Sequence, residues 1–219
     1  MITAIWFVMR TGIPWRDLPA QFGPWSSVYT RFRRWSQAGL WARMQALLAA
    51  PACGNIRSVD CSQVKTHADG ANPAGGQSSQ ALGRTKGGLN TKIAVVVDGV
   101  GRAVQVALAR GPRNDLHACA PLWPSRCGRW VVADRGCDAD GFRRQLAHSG
   151  ALICIPPRVG RRIAYDYSRT LYRHRHTMEN FFARLKRLRR IATRYEKLAS
   201  HFLAFVLFAT VIDWLRFEV

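Results

Sequence analysis

The sequence predicts a mixed α/β fold, a sheet flanked by helices, with a small all-helical module at its N-terminal end. Three observations carry that prediction. Between Arg57 and Pro156, short runs rich in Val, Ile and Thr alternate with helical patterns. Residues 1–50 show helical spacing throughout and hold five of the eight tryptophans. From residue 169 onward the pattern is again helical, ending in "FLAFVLFATVI".

The elements follow in order. "ITAIWFVMR" reads as the end of a helix, closed by the Gly/Pro-rich "TGIPWRDLP". "WSSVYTRFRRWSQAG" is a second helix, with Ser26 or Ser27 as N-cap and Gly39 just past its end. "LWARMQALLAA" is an amphipathic third. Basic residues on the middle helix give the trio a helix-turn-helix-like character. "PACGNI" is a linker, so the chain divides into a module over 1–50 and a larger domain over 55–219. "RSVDCSQVKTH" is a strand, and "ADGANPAGGQSSQALGRTKGG" a Gly/Ser-rich loop expected to be mobile. "LNTKIAVVVDGVGRAVQVALARG" is a β-hairpin turning at Asp98-Gly99. "NDLHACAPLW" starts a helix, "RWVVADRG" is a strand ending at Asp134, "DADGFRRQLAHSG" a helix and "ALICIPP" a strand. Three strands, helix, strand, helix, strand and long helices make a mixed sheet with helical cover.

Composition narrows the function. Thirty-three Lys and Arg against thirteen Asp and Glu leave a net charge of +20, the balance of a protein that neutralises phosphates. Six cysteines without a CxxC pair argue against zinc and against a disulfide scaffold, and fit a reducing cytosol. "FLAFVLFATVI" is eleven residues, too short to span a bilayer, and reads as a buried helix, so no membrane partner is expected. No GxSxG, Walker loop or GxGxxG is present, and the six histidines lack metal-ligand spacing.

The chemistry therefore falls to carboxylates. Asp134 ends a buried strand, at the carboxyl edge where open α/β sheets place their sites. Asp60 lies in the first strand of the same sheet. Glu179 is the one acidic residue in "LYRHRHTMENFFARLKRLRR". On a single helix turning about 100° per residue, Tyr172, Arg175, Glu179 and Lys186 fall within about 60° of one another. Met178, Phe181, Phe182, Leu185 and Leu188 form the adjoining apolar face, and Asp166 or Ser168 caps the start. Three such carboxylates could hold one or two Mg²⁺ or Mn²⁺ ions for an in-line phosphoryl transfer. Plainer roles stay open. Asp60 reads also as an ordinary strand residue, Asp134 as a turn aspartate, and Glu179 as an ion-pair partner of Arg175 or Lys186. Asp138 and Asp140 read as caps of the following helix, Asp98 as part of the hairpin turn, and Asp115 as an N-cap. His174 and His176 add to the basic face.

Tyr172-x2-Arg175-x3-Glu179-x6-Lys186 resembles the Y-x2-R-x3-E-x6-K signature of bacterial insertion-sequence transposases of the DDE superfamily. "GIPWRDLPAQFGPWSSVYTRFRRW", "ALGRTKGGLNTKI", "VVADRGCDAD" and "RRIATRYEK…FLAFV" resemble the insertion-sequence-five group, collinearly over nearly the whole chain. The resemblance implies a ribonuclease-H-like core. It implies Asp60, Asp134 and Glu179 as catalytic metal ligands for Mg²⁺ or Mn²⁺, as two ions. It implies phosphodiester cleavage and strand transfer at the ends of an insertion sequence, with Tyr172, Arg175 and Lys186 contacting DNA. The implied partners are terminal inverted repeats and target DNA, with a homodimer assembled on them, in the bacterial cytoplasm at the nucleoid. Cys61 and Cys137 stand where Ser or Thr and Tyr are more usual. The family carries further helices before the segment matching "ITAIWFVMRTG", so a truncated copy or the second frame of a split gene is expected. A truncated, non-catalytic DNA-binding remnant that represses transposition is the alternative.

Overall fold

The computed structural model describes residues 1–50, 54–122, 129–163 and 165–216. The first half of the "PACGNI" linker with Cys53, and Trp123 and Cys127, lie outside these residues. The first three helices are α1 (Ile2–Thr11), α2 (Trp25–Gln37) and α3 (Leu40–Ala49). The strand-rich part holds β1 (Ile56–Thr66), β2 (Gly83–Thr85), β3 (Gly88–Asp98), β4 (Ala103–Arg110), α4 (Asp115–Cys119), β5 (Trp130–Ala133), α5 (Asp140–His148) and β6 (Leu152–Cys154). Then come α6 (Arg169–Tyr172), α7 (Arg175–Leu185), α8 (Arg189–Ala192), β7 (Thr193–Arg194) and α9 (Ala199–Arg216).

These strands form one sheet. β1 pairs antiparallel with β3 and β3 with β4, while β5 runs parallel to β1 and β6 parallel to β5. The order β4-β3-β1-β5-β6, three antiparallel strands and then two parallel ones, is the ribonuclease-H-like arrangement that the resemblance implies. On one face, Val59, Ala94, Val96 and Val131 pack with α4 and α5 through Cys119, Phe142 and Leu146. On the other, Val64, Ile93, Val95 and Val97 pack with Met178, Phe181, Phe182 and Leu185 of α7 and with α9. Alternation along each strand splits its residues between these two cores.

The N-terminal helices close the second core. Ile5, Val8, Phe32 and Trp41 are buried in the same cluster as Phe202, Phe205 and Phe208 of α9. The Phe32 and Phe205 rings stack 4.4 Å apart, and Trp41 lies 4.5 Å from Phe208. Gln45 of α3 donates to the Ala103 and Val104 carbonyls of β4. Residues 1–50 thus share one apolar core with the C-terminal helices rather than packing only among themselves. Gly12 brings α1 close to α8. It ends α1 at φ +76°, where a Cβ would meet the Arg189 Cβ at 3.0 Å.

Several local expectations are corrected. Neither Ser26 nor Ser27 caps α2, which starts at Trp25 after Pro24 and has no side-chain cap. Gly39 does follow α2 in the left-handed conformation. The Gly/Ser-rich loop contains β2, which pairs with the start of β3, and it buries Leu82. The hairpin turns over residues 99–102, with Asp98 accepting from the Val100 and Arg102 N–H groups. Asn114, not Asp115, caps α4, and Asp115 instead pairs with Lys92 at 2.6 Å. Asp138 and Asp140 do not cap α5. Asp138 is buried and its carboxylate is taken up by Arg143 and Arg161, while Ala139 holds the N-cap position and Asp140 is already inside the helix. The single helix expected over 171–190 is three pieces, α6, α7 and α8, with Ser168 rather than Asp166 capping the first. Finally, "FLAFVLFATVI" belongs to an 18-residue helix, α9, with a mean hydropathy of 1.4. Length and composition alone would let it cross a membrane, but its large side chains Phe202, Phe205 and Trp214 fill the core.

Candidate carboxylate site

β1 is a central strand of eleven residues, and its two ends have different neighbours. Ile56–Val59 pair with β5, whereas Lys65–Thr66 pair with β7. Asp60 is the first residue past the β5 pairing. Val59 pairs with Ala133, so Asp134 is the next position opposite Asp60 in the same parallel register. Asp60 pairs across the sheet with Val95, which puts it on the face covered by α7. Glu179 stands on α7 itself.

The sheet edge and α7 are joined by one side chain. The Arg175 guanidinium gives Nη1 to Glu179 Oε1 and Nη2 to Asp60 Oδ2, the latter at 3.5 Å. Asp60 and Glu179 therefore lie one guanidinium apart. The sequence pattern left Glu179 open between an Arg175 partner and a metal ligand, and the ion pair with Arg175 is present.

Each aspartate is held by backbone. Asp60 Oδ1 accepts from the Cys61 N–H at 2.7 Å, and Asp134 accepts from the Gly136 N–H. A Cβ at position 136 would lie 2.7 Å from the Asp134 carboxylate, so any other residue there would displace that carboxylate. Burial pushes the Asp60 carboxyl up to about 6, against the Cys61 hydrogen bond and the Arg175 charge, and the neighbouring Asp134 pushes the same way. A buried carboxyl beside a second one creates a demand for cationic charge. Arg175 meets part of it.

Tyr172 ends α6 half-buried, its ring edge-on to Tyr167 at 5.6 Å, and burial raises its phenol above the usual range. Arg175 and Asp134 are among the charges that act on that phenol. Lys186 caps the far end of α7, exposed, about 10 Å along the helix from Glu179. The structure thus brings Asp60, Asp134, Glu179, Tyr172 and Arg175 into one neighbourhood and leaves Lys186 at its margin.

The donor set is chemically suited to a hard divalent cation, being three carboxylates from β1, β5 and α7 with the most buried one short of a full counter-charge. Among the described residues, no three potential ligands already stand close enough to hold an ion. On the opposite face of the sheet, Cys61, Cys119 and Cys137 meet under the aspartates, with Cys61 and Cys119 sulfurs 3.1 Å apart. Burial pushes the Cys137 thiol up to about 12, and the hydrogen bond from Cys61 followed by burial raises that of Cys119. The raised Cys119 and Cys137 thiols are protonated packing groups rather than ligands.

Two roles escaped the sequence pattern. Asp138 anchors the segment after Asp134: it binds Arg143 at 2.6 Å and accepts the Arg158 N–H, so α5 and the chain after β6 are tied to the Asp134 turn. The five-residue spacing from Asp138 to Arg143 was the available signal. The contact from Arg175 to Asp60 spans 115 residues and left no local trace.

Two family models match the chain. One, described as "Putative transposase of IS4/5 family", covers residues 1–45, and the other, "Transposase DDE domain", covers 131–216. The chain is 35% identical over 132 residues to the "Putative transposase for insertion sequence element IS6501" of Brucella ovis, a match spanning 58% of this chain and 100% of that protein. It is 49% identical over 51 residues to the insertion element IS402 uncharacterized 16.2 kDa protein of Burkholderia cepacia, spanning 22% of this chain and 35% of that relative. A pre-cleavage Mos1 transpososome aligns over 99% of this chain and 77% of that one, at 10% identity and a TM-score of 0.28, too loosely to speak for fold or function. The collinear motifs and the full-length match to the Brucella protein agree, and the chain belongs to the IS4/5 family of insertion-sequence transposases, with a DDE transposase domain in its C-terminal part.

Proposed function

We propose that this protein cleaves DNA at the ends of an insertion sequence and joins those ends to target DNA, in the bacterial cytoplasm at the nucleoid. The observation that carries the reading is the register of β1 and β5, which sets Asp60 and Asp134 side by side under the helix bearing Glu179. Asp60, Asp134 and Glu179 would hold Mg²⁺ or Mn²⁺, as two ions. Such ions activate the attacking water or 3′-hydroxyl and stabilise the leaving oxygen. The chain's own residues supply the rest. Arg175 neutralises Asp60 and Glu179, and would be free to contact a DNA phosphate where a bound cation carried that charge. Tyr172 borders Asp134 and positions the strand. Lys186 and the +20 surface hold the duplex from outside. Terminal inverted repeats and target DNA are the partners, and a homodimer brings two ends together.

The Arg175 bridge also favours a second reading, in which this copy binds the element's ends without cutting them and represses transposition. Cleavage of terminal-repeat duplex with Mg²⁺ separates the two. Wild-type protein is expected to cut. Asp60→Asn, Asp134→Asn and Glu179→Gln are each expected to abolish cutting and keep DNA binding. A variant that cuts at near wild-type rate removes its residue from the triad. Binding without cutting by the wild type establishes the repressor reading.

A further inference from the structure

One residue past Asp60, on the face of β1 turned away from α7, two thiols from distant segments touch. Cys61 Sγ lies 3.1 Å from Cys119 Sγ of α4, a residue 58 positions further along the chain. The Cys61 thiol donates to the Asp115 carbonyl at the start of the same helix, at 3.8 Å. With the Cys61 hydrogen placed there, the Cys119 hydrogen is the one that lies between the two sulfurs. Both side chains belong to the core between the sheet and α4, Cys119 fully buried and Cys61 at its partly open border. Among the described residues, Cys61 is the one cysteine that is not buried. Cys154 is held elsewhere, by the Ser168 carbonyl at 3.4 Å.

The pair is placed to close. A disulfide bond is about 2.05 Å long, so closure takes about 1 Å of sulfur travel, which side-chain rotation supplies while β1 and α4 stay packed. Removing the two electrons needs an oxidant from outside, small enough to reach a half-exposed sulfur. A hydroperoxide meets that requirement. The Cys61 sulfur attacks one peroxide oxygen, the O–O bond breaks, and the departing hydroxide leaves as water with the Cys61 thiol proton. Cys61 is then a sulfenic acid. The Cys119 sulfur, held against it by the fold, attacks the Cys61 sulfur and the S–O bond breaks. The second hydroxide takes the Cys119 proton and leaves as water, so two thiols and one peroxide give one disulfide and two waters. The Cys61 N–H holds Asp60 Oδ1 at 2.7 Å, so the bridge pins the stretch of β1 that carries this carboxylate to α4.

We propose that Cys61 and Cys119 are a peroxide-oxidised pair that forms a reversible disulfide between β1 and α4. The proposal is independent of the cleavage reading, since its tests use neither DNA nor metal. The full chain is treated with hydrogen peroxide in the presence of chelator, alkylated and digested with trypsin. Cys61 and Cys119 fall alone in the tryptic segments 58–65 and 114–126. Mass spectrometry is expected to find these two segments joined, and dithiothreitol to separate them. The oxidised protein is expected to unfold at a urea concentration about 1 M higher than the reduced protein, because the bridge closes a long loop in the unfolded chain. With a cyclic diketone that traps sulfenic acids, C119S is expected to gain an adduct on Cys61, and C61S none on Cys119. Two unlinked segments after peroxide, or Cys61 joined to Cys137 in place of Cys119, overturns the proposal. A lower urea midpoint for the oxidised protein overturns it too, since the bridge would then form only by distorting the packing of α4. An adduct on Cys119 in C61S overturns the assignment of Cys61 as the first sulfur attacked. If either serine variant fails to fold, the wild-type map decides.

Discussion

Replacing Asp60 by Asn should stabilise the metal-free protein at neutral pH while removing the group proposed to hold the metal. The Asp60 side chain is 19% exposed, and burial lifts its carboxyl from the ordinary 3.8 to about 6. In the window between those values the folded protein keeps a proton that the unfolded chain has released. Stability therefore falls as pH rises, by about 1.4 kcal/mol per pH unit, and the whole cost is present above pH 6. A shift of about two units sets an upper bound of roughly 3 kcal/mol. Asn keeps an oxygen for the Cys61 N–H, the attraction of Arg175 at 3.5 Å is already contained in the net shift, and solvent screening at a partly exposed group brings the gain to about 1–3 kcal/mol. The assay is urea denaturation of wild type and Asp60→Asn from pH 4 to 8 with EDTA present. The expected advantage of the variant is largest and flat above pH 7 and shrinks steadily between pH 6 and 4. A pH-independent difference, or a variant less stable than wild type at pH 7.5, would refute the assignment of Asp60 as a buried carboxylate short of counter-charge.

Two further outcomes follow from the packing and the surface charge. Phe205→Ala should cost about 3–5 kcal/mol, because it empties a site where Phe32 of α2 stacks at 4.4 Å; tryptophan fluorescence and far-ultraviolet circular dichroism should then melt together at a lower temperature, and separate transitions would show that residues 1–50 fold independently. Lys186→Ala should leave stability unchanged and flatten the salt dependence of DNA binding by about one unit of slope, measured by titration at several salt concentrations, and an unchanged slope would place Lys186 away from the phosphates.

Much of the site was legible because its parts are local in origin. The apolar strand "WVVA" followed by Asp-Arg-Gly specifies a strand end and a turn within a few residues, and the missing side chain of Gly136 leaves room for the Asp134 carboxylate. Val59 and Val64 mark β1 as a buried strand, and the apolar spacing of Met178, Phe181, Phe182 and Leu185 fixes which side of α7 meets the sheet. Glu179 and Arg175 then share the remaining side, as one helical turn requires.

Other features depend on segments far apart in the chain, and no window of sequence contains them. Asp138 carries the residue type of a helix cap, but the convergence of Arg143, Arg158 and Arg161 makes it a buried anchor instead. The run from Leu171 to Arg190 has helical spacing throughout, yet it forms three pieces, of which α7 packs against β1 and α8 against α1. Arg175 reaches Asp60 only because the sheet order brings β1 beneath α7. The contact between the Cys61 and Cys119 sulfurs exists only where α4 packs on β1. Periodicity and turn chemistry act over a few residues, so the sequence by itself determined the mixed sheet with helical cover and singled out the candidate carboxylates. Which cation neutralises which carboxylate, which helices share a core and which two thiols touch are set by burial between distant segments, and only the tertiary structure decided them.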